Sequence, residues 1–399
     1  MRIPGTACAH LTYCLNVHAG ETWRENVDAI RTHAVGVRDA VARDGPFGLG
    51  LRVSDLASRE LASPQALAAF RKLLEQRDLY VFTINGFPYG PFHAVPVKEN
   101  VYLPDWRMPE RVDYTIRLAD ILADLLPDGT AGSISTVPCS YKSWIQTAQD
   151  IEQMTRNLAG VIAHLVRLRE RTGREIHVGL EPEPDCFLES TPETIDWYDR
   201  VFLPHAVDVL RESLGTSRRE AEAAARRHLG VCFDTCHLAL QFEDLAESVN
   251  ALGRHGIRIS KVQVSSALRV DSPTAARPAL ERFCDSVYLH QVKTRAGRRV
   301  ESRGDLSDAL SAPDTPAGEP WRIHCHVPLY YDGAGELSST AGDITPAFLC
   351  ASIAAGVSHF EIETYTFDVL PPEAREPDLV HSIAREFEWV LGRFAAGPV

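Results

Sequence analysis

The fold is decided by the stretch Leu229-Gly230-Val231-Cys232-Phe233-Asp234-Thr235-Cys236-His237. It begins as a short apolar run typical of a buried strand and ends in side chains that can carry chemistry. A segment with helical periodicity follows at Glu243 to Leu252, and a second apolar run follows at Ile257 to Val264. A strand, a helix and another strand in this order predict a right-handed crossover between parallel strands.

The same alternation runs through most of the 399 residues. We predict strands at 11–17, 48–53, 79–85, 133–137, 176–181, 229–234, 257–264 and 359–366. Eight such units is the number that closes a TIM (β/α)8 barrel, so an α/β barrel is the expected fold. The alternative is an open doubly wound sheet. Against it, no Gly-x-Gly-x-x-Gly follows the first strand and no phosphate-binding Gly-x₄-Gly-Lys-Ser/Thr occurs.

The alternation breaks after the seventh strand. Residues 266–320 carry short segments and many charges, which indicates an insertion. Residues 86–107 contain four prolines at 88, 91, 96 and 104 and are predicted to form a long loop on the same barrel face. No linker or internal repeat is visible, so we expect a single domain over residues 1–399 with 266–320 inserted in it.

The composition excludes several classes of protein. Lys and Arg number 41 against 54 Asp and Glu, a formal charge of −13, so the chain as a whole does not attract nucleic acid or anionic lipid. No apolar run reaches the length of about 18 residues that a membrane span needs. The first residues lack the basic and apolar regions of an export signal, and the nine cysteines show no repeated zinc-site spacing. We therefore expect a cytoplasmic protein with reduced thiols and without a membrane span.

Acidic or amide side chains stand at the ends of four late strands. They are Glu181 and Glu183, then Asp234, then Gln263, then Glu361 and Glu363. The active site of a TIM barrel lies at the carboxyl ends of its strands, and residues two apart on a strand face the same side. Carboxylates that converge in a dry site repel one another, and a divalent cation would relieve the repulsion. Oxygen ligands with at most one or two imidazoles favour Mn²⁺ or Mg²⁺, and Zn²⁺ and Fe²⁺ are the alternatives.

Each of these signals has an ordinary structural alternative. A lone Glu at a strand end is usually solvated or ion-paired, and Asp234-x₂-His237 is also the pattern of a helix N-cap. His324-x-His326 alternates to one face of an extended segment, but such pairs often only satisfy backbone groups. The joint occurrence of acidic residues at three strand ends carries the argument, because burying them without a purpose is costly. Aromatic residues of the predicted rim loops are candidates to line a pocket: Trp23, Phe87, Tyr89, Trp106 and Tyr141.

At these positions the chain resembles the metal site of xylose-isomerase-like TIM barrels, a superfamily of sugar isomerases, ketose 3-epimerases and endonuclease-IV-type repair enzymes. The resemblance in strand order covers most of the chain. Four local phrases are similar to one branch, the metabolite traffic protein EboE family: residues 11–18, 261–268, 324–329 and 361–366. This resemblance implies a role in a bacterial secondary-metabolite pathway.

The superfamily's metal ligands are Glu, Asp, His and Glu on four late strands. By the resemblance, Glu181 is the first ligand and Asp234 is the second. The sequence departs at the third ligand, because the seventh strand offers Gln263 in place of His. His326 is the alternative third ligand, if the segment after the insertion returns to the barrel rim.

The remaining roles follow from the same resemblance. Glu363 is favoured over Glu361 as the fourth ligand because it lies nearer the strand end. Glu183 or Glu361 would act as the general base, and His237 would orient the substrate oxygens.

These residues together predict a divalent-metal-dependent isomerase or epimerase. It would act on a sugar, a polyol of the cyclitol kind or a hydroxy-carbonyl compound through an enediolate. The alternative is a non-catalytic barrel that binds a metabolite and delivers it to partner enzymes of the pathway. Repair of DNA on the same scaffold needs a basic face, which the charge of −13 disfavours.

Overall fold

The computed structural model describes residues 1–43, 45–91, 98–284, 288–312, 319–367, 370 and 375–397. Its strands, in chain order, are β1 (His10–Tyr13), β2 (Phe47–Arg52), β3 (Leu79–Asn85), β4 (Gly132–Thr136), β5 (Ile176–Leu180), β6 (Leu229–Asp234), β7 (Arg258–Val264), β8 (Leu268–Val270), β9 (Gln291–Ala296), β10 (Arg299–Asp305), β11 (Trp321–Ile323), β12 (Leu337–Ser339) and β13 (His359–Ile362).

Eight parallel strands form a nearly closed barrel in the order β1-β13-β7-β6-β5-β4-β3-β2. A parallel bridge between Cys14 and Gly50 brings its two end strands together. A side chain at Gly50 would collide with Glu361 Oε1, 2.0 Å from an ideal Cβ, so glycine lets the interior accept a glutamate here. The predicted TIM (β/α)8 barrel is confirmed.

Helices surround the barrel. In chain order they are α1 (Trp23–Ala29), α2 (Val35–Val41), α3 (Asp55–Leu61), α4 (Pro64–Gln76), α5 (Pro109–Leu125), α6 (Ala148–Thr172), α7 (Thr191–Trp197), α8 (Leu203–Leu214), α9 (Arg218–His228), α10 (Thr235–Leu240), α11 (Leu245–Arg254), α12 (Pro273–Leu280), α13 (Leu306–Ser311), α14 (Pro346–Ala354) and α15 (Leu379–Ala395). None of the described helices combines the length and the apolar character that crossing a bilayer requires.

Helix α6 shows how the sequence sets these elements. Thr147 caps its first turn, and Asp150 closes a capping box by bonding back to the Thr147 backbone. Its buried face recurs at helical spacing, with Met154, Leu158 and Leu165 against the barrel. The helix ends where Gly173 takes a left-handed conformation at φ 72°.

A second, antiparallel sheet interrupts the barrel between β7 and β13. Its strand order is β10-β9-β11-β8-β12, and it has an apolar core of its own around Leu268, Val292 and Trp321. The predicted insertion at 266–320 contains β8, β9 and β10, and β11 and β12 lie beyond its end. Residues 324–328, which follow β11, have no regular secondary structure.

Glu386 is a buried carboxyl on α15, only 1% exposed. Its Oε1 accepts hydrogen bonds from Thr364 Oγ1 at 2.7 Å and from the Leu329 backbone amide at 3.1 Å. Burial raises its pKa from 4.5 to about 8, so the folded protein holds a proton there that the unfolded chain releases. This group therefore stabilises the fold fully below about pH 4.5, and its contribution is lost as pH rises through about 8.

We predict that Glu386→Gln flattens the pH dependence of stability. Gln cannot ionise, so the free energy of unfolding should fall less between pH 5 and pH 8 than it does in the wild type. Urea unfolding at the two pH values measures the difference. The control is Glu388→Gln, which changes an exposed carboxyl on the same helix. Equal slopes in the wild type and Glu386→Gln would contradict the assignment.

Candidate metal centre

Three carboxylates meet at the carboxyl end of the barrel. Glu181 follows β5, Asp234 ends β6 and Glu363 follows β13. One oxygen of each lies within 4.8 Å of the others, and the residues are 4%, 0% and 5% exposed. We call these three residues the acidic group. Glu181 Oε2 and Asp234 Oδ2 have no hydrogen-bond partner among the described residues, so the acidic group contains two buried oxygens that are left unsatisfied.

Burial and mutual repulsion act together on the acidic group. Burial is the larger cause that raises the pKa of Glu181, and the charges of Glu363 and Asp234 raise it further. Burial also raises the pKa of Glu363, followed by the charge of Asp234. A divalent cation between these oxygens would favour their ionised forms, so the group has the electrostatic character of a cation site.

Asp234 is both a helix cap and a member of the acidic group. Its Oδ1 accepts from the backbone amides of Cys236 at 2.7 Å and His237 at 3.0 Å, at the first turn of α10. The Ser265 hydroxyl donates to the same oxygen at 2.7 Å. These bonds hold one oxygen in place, and Oδ2 has no hydrogen-bond partner among the described residues. The helix-cap reading and the ligand reading of Asp234-x₂-His237 are therefore compatible.

Amide groups hold Glu363. Asn16 and Asn85 donate to its Oε1 at 2.5 Å and 3.2 Å, and Gln263 donates to its Oε2. The Gln263 oxygen in turn accepts from the Cys232 thiol at 2.7 Å. Both ends of the Gln263 amide are thus engaged within the barrel wall, and its nitrogen faces the acidic group.

Three imidazoles lie beside the acidic group. Each is fixed by an oxygen atom at its Nδ1: Pro182 O for His237 at 3.1 Å, Gln291 Oε1 for His324 at 2.7 Å and Glu363 O for His326 at 2.9 Å. An oxygen of this kind only accepts, so each Nδ1 carries the proton and each Nε2 keeps its lone pair. We call these three residues the imidazole group.

The free nitrogens of the imidazole group face one another. His237 Nε2 lies 3.0 Å from His324 Nε2 and 3.4 Å from His326 Nε2. Burial lowers the pKa of His237 to about 4 and that of His324 well below its usual range, so a shared proton is disfavoured at neutral pH. An imidazole that binds a metal usually does so through one ring nitrogen and hydrogen-bonds to an oxygen through the other. The three rings of the imidazole group have this arrangement.

The two groups are contiguous. Ligand atoms of Asp234, His237 and His326 lie within 4.8 Å of one another, and so do those of Glu183, His237 and His324. His326 reaches the site because the chain returns from the second sheet to the barrel rim, where the Val327 amide donates to Ser266 O at 3.0 Å. Both predicted third ligands, Gln263 and His326, therefore lie beside the acidic group. Gln263 directs its amide nitrogen to Glu363, whereas His326 keeps the lone pair of Nε2 for a ligand.

Glu183 lies beside the imidazole group. Its Oε1 accepts from the Tyr102 hydroxyl at 2.9 Å, and it lies 3.9 Å from His324 Nδ1. Burial raises the pKa of Glu183 to about 8, and the Tyr102 bond opposes the rise. As the two-residue spacing predicts, Glu181 and Glu183 border the same cavity.

Glu361 occupies a deeper position than the other candidates. It is 0% exposed, and Lys261 Nζ donates to its Oε2. It does not border the cavity among the described residues, so the structure separates it from the group that contains Glu183. The Lys261 charge also lowers the pKa of Glu181 and Glu363 against the stronger effect of burial, which places a cation beneath the acidic group.

The cavity above these groups encloses about 600 Å³, part of it open to solvent. This is the size of a small-molecule site. Of the five aromatic candidates, Phe87 borders it and the other four do not, among the described residues. The sequence analysis did not select Asn16, Asn85, Tyr102 or Gln291. Asn85 ends β3 and was open to the strand-end rule, whereas no sequence signal marks Tyr102 or Gln291.

No protein-family model matches the sequence, and no curated protein matches it. Solved structures similar to the chain include an IOLI protein with a binding zinc atom, at 10% identity and TM-score 0.48 over 96% of this chain and 99% of that one. A xylose isomerase domain protein from Planctomyces limnophilus has 14% identity and TM-score 0.48 over 98% and 97%. A sugar phosphate isomerase/epimerase from Parabacteroides distasonis has 9% identity and TM-score 0.44 over 97% and 95%. Similarity at this level says nothing about chemistry.

We predict that Lys261→Met lowers the free energy of unfolding by about 3–5 kcal/mol, because it leaves Glu361 buried without its cation. The double variant Lys261→Met, Glu361→Gln should recover most of this loss. Urea unfolding measures both. Arg156→Met, which breaks an exposed pair with Glu152 on α6, is the control and should have little effect. Equal losses in the single and double variants would contradict a buried ion pair.

Proposed function

We propose that this chain is a divalent-metal-dependent isomerase or epimerase that acts on a polyol or hydroxy-carbonyl substrate through an enediolate. The supporting observation is that carboxylate oxygens, two of them unpartnered among the described residues, and imidazole lone pairs lie close together beside a ligand-sized cavity. In keeping with the resemblance of residues 261–268 and 324–329, we place the protein in an EboE-like branch that serves a bacterial secondary-metabolite pathway.

The donor set fits a divalent cation. Glu181, Asp234 and Glu363 would supply oxygen ligands, and His326 with His237 would supply nitrogen. His237 is thus proposed as a ligand as well as a neighbour of the substrate, and Gln263 as the group that positions Glu363. The carboxylates suit Mn²⁺ or Mg²⁺, and the imidazoles move the preference toward Zn²⁺ or Fe²⁺. When bound, such an ion supplies Lewis acidity to adjacent substrate oxygens.

The protein's own groups would move the proton. Glu183 borders the cavity and is oriented by the Tyr102 hydroxyl, so it can take a proton from the carbon next to the substrate carbonyl. Return of the proton to the neighbouring carbon gives an isomer, and return to the opposite face of the same carbon gives an epimer. Glu361, bound to Lys261 and away from the cavity, is less suited to this role.

A second candidate function is binding and delivery of a metabolite to partner enzymes. It is favoured by Gln263, because an amide that is hydrogen-bonded at both ends replaces the imidazole of the superfamily's third ligand. A barrel with an altered ligand set can keep its ligand site and lose its chemistry.

We predict that the purified protein contains about one divalent ion per chain and that Asp234→Asn loses it, because Oδ2 would no longer be an anionic ligand. Metal content measured by mass spectrometry checks this. Asp128→Asn, which changes a carboxylate 96% exposed at the side chain, is the control and should keep the ion. Absence of bound metal, with no uptake of Mn²⁺, Zn²⁺ or Mg²⁺, would overturn the metal-dependent proposal.

Exchange of a substrate proton with solvent distinguishes a catalytic barrel from one that only binds its ligand. For an isomerase, at least one compound in a panel of sugars, cyclitols and hydroxy-carbonyl compounds should gain deuterium from D₂O, as followed by NMR. Glu183→Gln should slow this exchange by about 100-fold or more with its metal content unchanged. Glu193→Gln, on α7, is the control and should exchange like the wild type. Binding of a panel compound without exchange would favour the delivery function instead.

A further inference from the structure

The cavity has two chemically different kinds of lining residue. The polar ones include Glu181, Glu363 and the imidazole group. The apolar ones include the rings of Phe87, Tyr102, Tyr288 and Tyr365, with Val101 and Leu289 beside them. We call these four rings the aromatic wall.

The aromatic wall comes from three separate parts of the chain. Phe87 follows β3, and Tyr102 ends the short helix Lys98–Tyr102; their ring centroids lie 5.9 Å apart. Tyr288 belongs to the segment before β9 and Tyr365 follows β13, with ring centroids 6.2 Å apart. Tyr288, Tyr365 and Leu289 are only half-buried, so they present apolar surface inside the cavity. A flat apolar group of ring size matches such a surface.

Polar groups beside the aromatic wall are bonded to one another. Gln291 donates to Tyr102 Oη at 3.3 Å and to Pro184 O at 3.2 Å, and its oxygen accepts from His324. The Tyr102 hydroxyl in turn donates to Glu183. A fully hydroxylated sugar would bury hydroxyl groups here that these side chains do not serve, and each unpaired group costs about 1–3 kcal/mol.

The unpartnered oxygens belong to the acidic group and its neighbour Asn16. They are Glu181 Oε2, Asp234 Oδ2 and Asn16 Oδ1, and Asn16 bonds to Glu363 through its nitrogen. Adjacent polar atoms of the ligand are therefore expected beside these residues.

The cavity also disfavours a phosphate. Lys98 is the only lysine or arginine among the described residues that line it. Its Nζ already donates to Asp305 at 2.6 Å and to Tyr288 O at 2.8 Å. The carboxylates of the acidic group and Glu183 would repel a dianion, and a phosphate site normally offers cationic or N–H donors.

We infer that the substrate is an unphosphorylated hydroxy-carbonyl compound that carries two adjacent oxygens and an apolar, ring-sized group. This inference rests on the proposed function, since the adjacent oxygens would meet the metal. It narrows the substrate class away from sugar phosphates and from fully hydroxylated sugars.

The test uses two chelating probes that share a head group. Acetohydroxamate carries the two adjacent oxygens on a methyl group, and benzohydroxamate carries them on a phenyl ring. Isothermal titration calorimetry of the Zn²⁺- or Mn²⁺-loaded protein measures both affinities, with fructose 6-phosphate as a third probe. Benzohydroxamate should bind at least about tenfold more tightly than acetohydroxamate, because its ring leaves water for the aromatic wall.

Variants locate the preference. Tyr288→Ala should reduce the preference for benzohydroxamate to about threefold or less, and Tyr288→Phe should keep it because the ring remains. Phe242→Ala removes a half-buried ring outside the cavity and should leave the preference unchanged.

The outcomes separate this inference from the proposed function. Equal affinities for the two hydroxamates would overturn the apolar group of the proposed substrate and leave its two chelating oxygens in place. Tighter binding of fructose 6-phosphate than of benzohydroxamate would overturn the inference that the substrate carries no phosphate. Failure of the metal-loaded protein to bind either hydroxamate would overturn the chelating site itself, and this inference with it.

Discussion

Glu181, Asp234 and Glu363 are held out of water at the carboxyl end of the barrel, each at most 5% exposed. Burying negative charge in this way is costly unless positive charge or hydrogen-bond donors stand nearby. Much of the barrel interior is built to meet this cost. Lys261 lies beneath the group in an ion pair with Glu361, and Gly50 leaves the room that Glu361 needs. Three side-chain amides and the first turn of α10 supply donors.

These donors do not bond to every oxygen of the acidic group. Both oxygens of Glu363 and Oδ1 of Asp234 accept hydrogen bonds, whereas Glu181 Oε2 and Asp234 Oδ2 have no partner among the described residues. The same division holds for the imidazole group, whose Nδ1 atoms are bonded to oxygens of the surrounding structure and whose Nε2 atoms face inward. Asp234 and the three imidazoles are each held through one atom and keep another unbonded, an arrangement that would need little rearrangement to bind a cation.

The second sheet contributes to the site as much as the barrel does. It carries Gln291, which orients His324, and its final strand before the rim delivers His324 and His326 over the acidic group. It also brings Tyr288 to the cavity, opposite the loop after β3 that brings Phe87. The second sheet and the chain that returns from it thereby add His324, His326 and Tyr288 to a site whose other groups come from the barrel and its loops.

The sequence by itself determined the barrel and the acidic half of the site. Apolar runs separated by amphipathic helices require parallel strands, and parallel strands that close into a barrel bring their carboxyl ends together, so Glu181, Asp234 and Glu363 had to be neighbours. Tertiary structure alone decided the rest. Glu361 and Glu363 are two residues apart and face the same side of the barrel wall. Glu361 lies deeper and is paired with Lys261, whereas Glu363 borders the cavity. The position of His326, the pairing of Glu183 with Tyr102 and the aromatic wall depend on the paths of long connections, which no local periodicity encodes.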